Sequence, residues 1–232
     1  FFMMKKIALI YMGGTFGCVG EPLMPMPEQD FLPLLAKIIP PHLQVECFAA
    51  PSIKDSSACT ATDWLKLVQQ IQQLQLNGFQ HFVIIHGTDT LSYAAATLAR
   101  FLGHSCHAII TGSQYPLLNV EGNDTREFTD ATGNLYLALE QVLSLPTGVY
   151  LAFHEQVFHA QTTLKTHTTE LDAFVGLKAD QRCQTTADFL VVQNEYIQQA
   201  TELSIINLML HPIAKEQLIL QLKNILLNPP NF

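Results

Sequence analysis

The residues with the most chemical reach are two threonines that each follow a glycine, an aspartate beside the second threonine, and a lysine. They are Thr15 in GGTFG, Thr88 and Asp89 in HGTDT, and Lys165 in LKTHTT. A threonine hydroxyl is a poor nucleophile until a base takes its proton. Burial lowers a lysine's pKa, and a neutral amine is such a base. Asp89 can hold that lysine or bind a substrate ammonium. Backbone N–H groups beside the threonines suit a developing oxyanion. The set describes acyl transfer, such as hydrolysis of an amide. On the residues alone a plainer reading stands beside it. A threonine after a strand is often a helix cap, and a lone lysine is usually a solvated surface residue.

Elements must bring these residues together. Short apolar runs alternate with amphipathic segments: KKIALIYM, LQVECFA, FQHFVIIHG, HAIITGS and TGVYLAFH read as strands. Between them come helices from about Glu28 to Ile39, over TATDWLKLVQQIQQLQLNG, over LSYAAATLARFLG to Gly103, and over TGNLYLALEQVL. Thr60 and Asp63 form a capping-box pattern at the start of the second helix. Buried strands alternating with helices mean βαβ units and a parallel sheet. The expected fold is α/β, a doubly wound, mainly parallel sheet flanked by helices, Rossmann- or flavodoxin-like. In such a sheet ligands bind outside the carboxyl ends of the strands. Those ends carry Gly13-Gly14-Thr15, then Asp55-Ser56-Ser57, then His86-Gly87-Thr88-Asp89-Thr90, then Thr111-Gly112-Ser113-Gln114. The glycines let the backbone approach a ligand closely.

Composition narrows the partners. A net charge of −8 with no cluster of Lys and Arg argues against nucleic acid, whose phosphates need such a cluster. No apolar run reaches the roughly 18 residues of a membrane-spanning helix. Five widely spaced cysteines without a C-x-x-C fit reduced thiols in a cytoplasm. His154 and His159 lack the H-E-x-x-H spacing, and HSCH at residues 104–107 lacks a distant partner pair, so no metal is expected. GGTFGCVG lacks the G-x-G-x-x-G spacing of a dinucleotide loop, so no cofactor is expected.

The segments GGTFG, HGTDTLSY and TGSQYP resemble the bacterial-type L-asparaginase family, whose site holds two threonines. DSSACTATDW resembles that family's substrate-binding loop, LKTHTTELDAF the segment with its catalytic lysine, and DATGNL its DGxxNL stretch. The segments fall in the family's order, and the likeness covers residues up to about 175. The resemblance implies Thr15 as nucleophile on a mobile loop, with Thr88, Asp89 and Lys165 as the triad beside it. It implies that Ser56 and Ser57 grip a substrate α-carboxylate, that Asp89 binds its α-amino group, and that Gly14, Gly87 and Ser113 line the substrate site. The implied reaction converts L-asparagine to L-aspartate and ammonia, with L-glutamine as a second substrate and a homodimer or homotetramer as the assembly. A tRNA-dependent amidotransferase chain is a weaker match, given the acidic charge and no extra N-terminal domain in the sequence.

Three departures from the family pattern matter. The family places a tyrosine on the loop after the first threonine, but here the loop reads GCVGEPLMPMPEQ, with Leu23 near that position. Tyr115 is the other hydroxyl weighed for that role. The stretch LLNVEGNDTREFTDATGNL is longer than the pattern and reads as a surface insertion. The expected organisation is a catalytic domain over residues 1–178, a linker over 179–200, and the first strand and helix of an incomplete second α/β domain over 201–232. These departures motivate an alternative: a catalytically weak or inactive homologue that binds an amino acid or a partner subunit.

Overall fold

The apolar runs become the inner strands of one sheet. The computed structural model describes residues 5–184 and 190–202. Along the chain come β1 (Lys6–Tyr11), β2 (Cys18–Val19), β3 (Met24–Pro25), α1 (Glu28–Ile38), β4 (Gln44–Ala49), α2 (Ala61–Leu76), β5 (His81–Ile85) and α3 (Leu91–Leu102). β6 (His107–Thr111), α4 (Ala131–Ser144), β7 (Gly148–Phe153), β8 (Gln156–His159), β9 (Leu164–Lys165), β10 (Phe174–Val175) and α5 (Asn194–Glu202) follow. The main sheet has six strands in the order β4-β1-β5-β6-β7-β8. All its pairings are parallel except β7 with β8.

β5 and β7 are buried at every position because helices cover both faces of the sheet. Ile7, Leu9, Val83, Ile85 and Ile109 face α1 and α4, where Phe31, Leu35, Leu135 and Leu139 complete the core. The alternate set, Ala8, Ile10, Phe82, Ile84, Ala108 and Ile110, is equally buried and points to the other face. α2 and α3 pack together there, with α3 on β6 and β7. The expected helix start at Thr60 is present: the Asp63 carboxylate accepts from the Thr60 N–H at 2.9 Å.

Numbered along the main sheet, the strand order is 2-1-3-4-5-6, which reverses between β1 and β5. The chain leaves these two neighbours in opposite directions, and a crevice opens above their carboxyl ends. This topology brings the loops carrying Thr15 and Thr88 to one place.

β8 adds an antiparallel strand that the hydrophobic pattern does not announce. Its hairpin turns through His154 and Glu155, at φ 47° and 61°. Two adjacent positive φ values suit a two-residue hairpin turn, where Asn and Gly are the usual residues. The main unit ends at Val192. Within the span read as a linker, Val192 N–H donates to the Gln72 side chain at 2.9 Å, and Gln72 Nε2 donates to the Leu190 carbonyl at 2.8 Å. A second unit starts at Gln193 and contains α5. The strand and helix expected over 201–232 lie almost wholly outside the described residues.

Candidate active site

The end of β5 is fixed from behind by a buried imidazole. His86 Nδ1 lies 2.8 Å from the Gly87 carbonyl, which can only accept, so Nδ1 carries the proton. Nε2 is then free to accept the Trp64 indole N–H at 3.2 Å. Burial pushes the imidazole's pKa down, against the Gly87 hydrogen bond, and favours this neutral form.

Glycines let three loops meet at backbone distance. Gly14 has φ 89°, and a Cβ there would collide with the Gly87 backbone. A Cβ on Gly87 would run into Ser56, and one on Gly112 would strike the His86 carbonyl. Thr15 and Thr88 each follow one of the two glycines whose backbones meet here. The loops after β1, β4 and β5 come together as the strand-end argument expects.

Side chains then join these loops to the lysine segment. Lys165 Nζ donates to Thr88 Oγ1 at 3.0 Å and to Asp89 Oδ1 at 3.1 Å. Its side chain is 13% exposed, whereas that of Asp89 is 60% exposed. Lys165 is positioned by pairing of β9 with β10, where it lies opposite Phe174. Phe174 is buried against Phe153, with ring centroids 4.9 Å apart, so the lysine strand is pinned to the core. The Ser56 hydroxyl accepts the Asp89 N–H at 3.2 Å, and Thr90 Oγ1 donates to the Ser56 carbonyl at 2.7 Å. Neither Thr88 nor Thr90 caps α3 with its hydroxyl; both are spent on tertiary contacts.

Gln114 is the residue that sequence reasoning placed at a strand end without a role. Its Oε1 accepts the Thr88 hydroxyl at 3.2 Å, while its Nε2 donates to the carbonyls of Thr168 and Glu170 at 3.3 and 2.9 Å. One amide thus ties Thr88 to the segment following Lys165. Asp130 holds this loop by accepting the backbone N–H groups of Gln114 and Tyr115, both at 2.9 Å. The Asn134 amide donates to the Gly112 carbonyl at 2.9 Å. Asp130 and Asn134 belong to the DATGNL stretch, which marked them as family-like but not as loop anchors.

Ser113 is buried, and its hydroxyl donates to the Tyr115 carbonyl at 2.6 Å. Ser57 is exposed beside Ser56, with its N–H on Asp55 Oδ1 at 3.3 Å. The Tyr115 ring packs on Phe128 and under Arg126.

Thr15 has a different setting. It lines a cavity of about 250 Å3 with Tyr11, Cys18, Leu23, Lys54 and Asp55. Burial pushes the Tyr11 phenol's pKa well up, reinforced by Cys18 and Glu28, so it is a neutral hydroxyl. The inserted stretch after TGSQYP packs on the Thr15 loop rather than standing free. Leu117 N–H donates to the Phe16 carbonyl at 3.0 Å and Gly20 N–H to the Val120 carbonyl at 3.2 Å.

Comparison with known proteins places the chain in a family. A sequence profile described as "Asparaginase, N-terminal" matches residues 6–198, and the chain belongs to that family. L-asparaginase 1 of Escherichia coli strain K12 is 30% identical over 190 residues, which cover 74% of this chain and 51% of that protein. A glutamyl-tRNA(Gln) amidotransferase chain of Nanoarchaeum equitans is 25% identical over 184 residues, 75% of this chain and 45% of that protein. The crystal structure of a probable cytoplasmic L-asparaginase from Campylobacter jejuni matches with a TM-score of 0.59 at 25% identity, over 74% of this chain and 51% of that one. The chain spans about half the length of these asparaginases.

Proposed function

We propose that the crevice hydrolyses the side-chain amide of L-asparagine to L-aspartate and ammonia. The observation that carries this reading is the chain of contacts from Asp89 through Lys165 to Thr88, set beside Thr15 by the Gly14–Gly87 approach. Thr15 Oγ1 attacks the amide carbon, the C–N bond breaks, and ammonia leaves with the hydroxyl proton. The resulting ester is opened by water, whose proton returns to Thr15 Oγ1 as L-aspartate departs. Lys165 and Thr88 relay protons in both halves. The second Asp89 oxygen and the Ser56 hydroxyl proton remain available for the substrate ammonium and α-carboxylate. L-glutamine is a second substrate, since one methylene discriminates by only about 1–3 kcal/mol. The assembly on this reading is a homodimer or homotetramer, and the compartment is the cytoplasm.

Ammonia release from L-asparagine tests the reading, with Thr15→Ala, Thr88→Val and Lys165→Met alongside. Loss of general acid–base function costs about 100- to 10,000-fold, so each variant should be nearly inactive while remaining folded. Wild-type rates in Thr88→Val and Lys165→Met would sink the mechanism.

One observation favours a second reading. Leu23 lines the Thr15 cavity where the family pattern has a tyrosine. A chain that binds L-aspartate without turnover would show a raised melting temperature with aspartate and no ammonia from asparagine.

A further inference from the structure

The opposite edge of the sheet carries a second cavity, of about 290 Å3, that the reaction does not use. It lies beside the last turn of α3 and the start of β7. α3 begins just past Thr88 and is 12 residues long. At 1.5 Å per residue the helix separates the two places by about 18 Å. The floor includes Ala99, Val149 and Tyr150, while Arg100, His104 and His159 supply polar groups.

We propose that this cavity binds a small organic anion, a carboxylate or phosphate borne on an apolar body. Among the described residues no Asp or Glu lines it, although the chain as a whole carries a charge of −8. Arg100 has no ion pair or hydrogen bond among the described residues, so its planar fork of donors is free for an oxyanion. The two imidazoles are already oriented. His104 Nδ1 lies 2.9 Å from the Thr147 carbonyl and His159 Nε2 lies 2.8 Å from the Gln181 carbonyl. Among the described residues each ring thus spends one nitrogen on a carbonyl and keeps the other uncommitted.

A helix C-terminus ordinarily repels an anion through its free carbonyls. Here those of Ala99, Phe101 and Leu102 accept the N–H groups of Gly103, Leu190 and Ser105 at 2.9–3.1 Å. The repulsive end is therefore blunted. The apolar floor is of no use to a bare inorganic ion and fits a hydrocarbon body. The volume sits at the lower end of ligand pockets, about 300–1,000 Å3.

The test is thermal unfolding with benzoate, phenyl phosphate and inorganic phosphate at matched ionic strength, a readout independent of turnover. A ligand that binds only the folded state raises the melting temperature. Benzoate or phenyl phosphate should do so at millimolar concentration, and the stronger of the two identifies the head group. Inorganic phosphate should have a much smaller effect. Arg100→Gln should abolish the shift, Arg100→Lys should keep part of it, and Lys37→Gln on α1 should keep all of it. No shift with either aromatic anion would overturn the proposal. So would an equal shift with inorganic phosphate, or one that survives in Arg100→Gln.

Discussion

The two edges of the sheet handle polar groups in opposite ways. At the carboxyl edge, Thr88, Asp89, Lys165, Ser56 and Gln114 bond to one another across four loops. At the amino edge, Arg100 is unpaired among the described residues, and His81 buries a ring nitrogen, Nε2, with no hydrogen-bond partner. A closed network fixes distances at the moment of reaction, which preorganised electrostatics require. The two uncommitted groups differ: the buried His81 nitrogen costs stability, whereas exposed Arg100 keeps its donors on water and available to something that arrives later. The contrast separates an edge whose polar groups are held to one another from an edge where some are left open.

The largest effect should come from the backbone contact on which the network depends. Gly14→Ala forces an L side chain into φ 89°, ψ −176°, a region that essentially only glycine occupies, at about 1–3 kcal/mol, and drives its Cβ into Gly87. Thr15 and Thr88 must then separate, and misplacement on the 1 Å scale costs about 100-fold. Ammonia release should fall at least that far, and the urea midpoint should fall with it. A fully active, fully stable variant would show that the loops do not need this contact.

Gln114→Leu should separate function from fold. It removes the acceptor of the Thr88 hydroxyl and the tie to the Lys165 segment. Losing one such contact costs about 1–3 kcal/mol, hence roughly 5- to 150-fold in kcat. KM and the melting temperature should move little, because Asp130 still holds the loop backbone. A change in KM alone would assign Gln114 to substrate binding instead.

These two variants also mark what was legible in the sequence. The five parallel strands β1, β4, β5, β6 and β7 and the helices α1–α4 were readable because they are long periodic or apolar segments, several of them ending in Gly or Pro, as at Gly78, Gly103 and Pro40. Thr88, Asp89 and Ser56 could be expected at one edge because ligands sit outside the carboxyl ends of parallel strands, whereas Lys165 joined them only through the family resemblance. The Gln114 bridge was not readable, since spacing places a residue at a strand end without saying which loop its amide reaches. Nor could spacing say that the Ser113 hydroxyl donates to the Tyr115 carbonyl two residues on. The β7–β8 hairpin was missed because His154 and Glu155 adopt positive φ where the sequence carries no Asn or Gly. In the span read as a linker, α5 is short and largely polar, with Tyr196, Ile197 and Ala200 as its few apolar residues, so it did not stand out from the mixed stretch around it.

A subtler effect belongs to the amino edge alone. The His81 and His107 rings stack 4.5 Å apart, nearly parallel. Burial, then His107 and Lys5, push the His81 pKa down to about 4. The unfolded chain, at the ordinary value near 6.5, takes up that proton first as the pH falls. Stability should therefore be fully present above about pH 6.5, drop as the pH falls towards 4, and change no further through this group below that. Urea midpoints across this window test it: His81→Leu should lose less stability on acidification than wild type. Equal slopes in the two proteins would place the acid sensitivity elsewhere.

The smallest expected change returns to the carboxyl edge, at the threonine that this side-chain network does not include. Thr88 has two side-chain partners, whereas Thr15 faces a cavity whose outer wall includes Leu23, 49% exposed. Leu23→Tyr places a hydroxyl on that wall, where the family pattern has one. One added hydrogen bond is worth about 0.5–1.5 kcal/mol, so kcat should rise roughly 2- to 10-fold. The gain must vanish when Thr15→Ala is combined with it, since the new hydroxyl acts only through that residue. A rate unchanged by Leu23→Tyr would mean that the neutral Tyr11 hydroxyl, already in the cavity, fills the role, and Tyr11→Phe would then be the variant that loses activity.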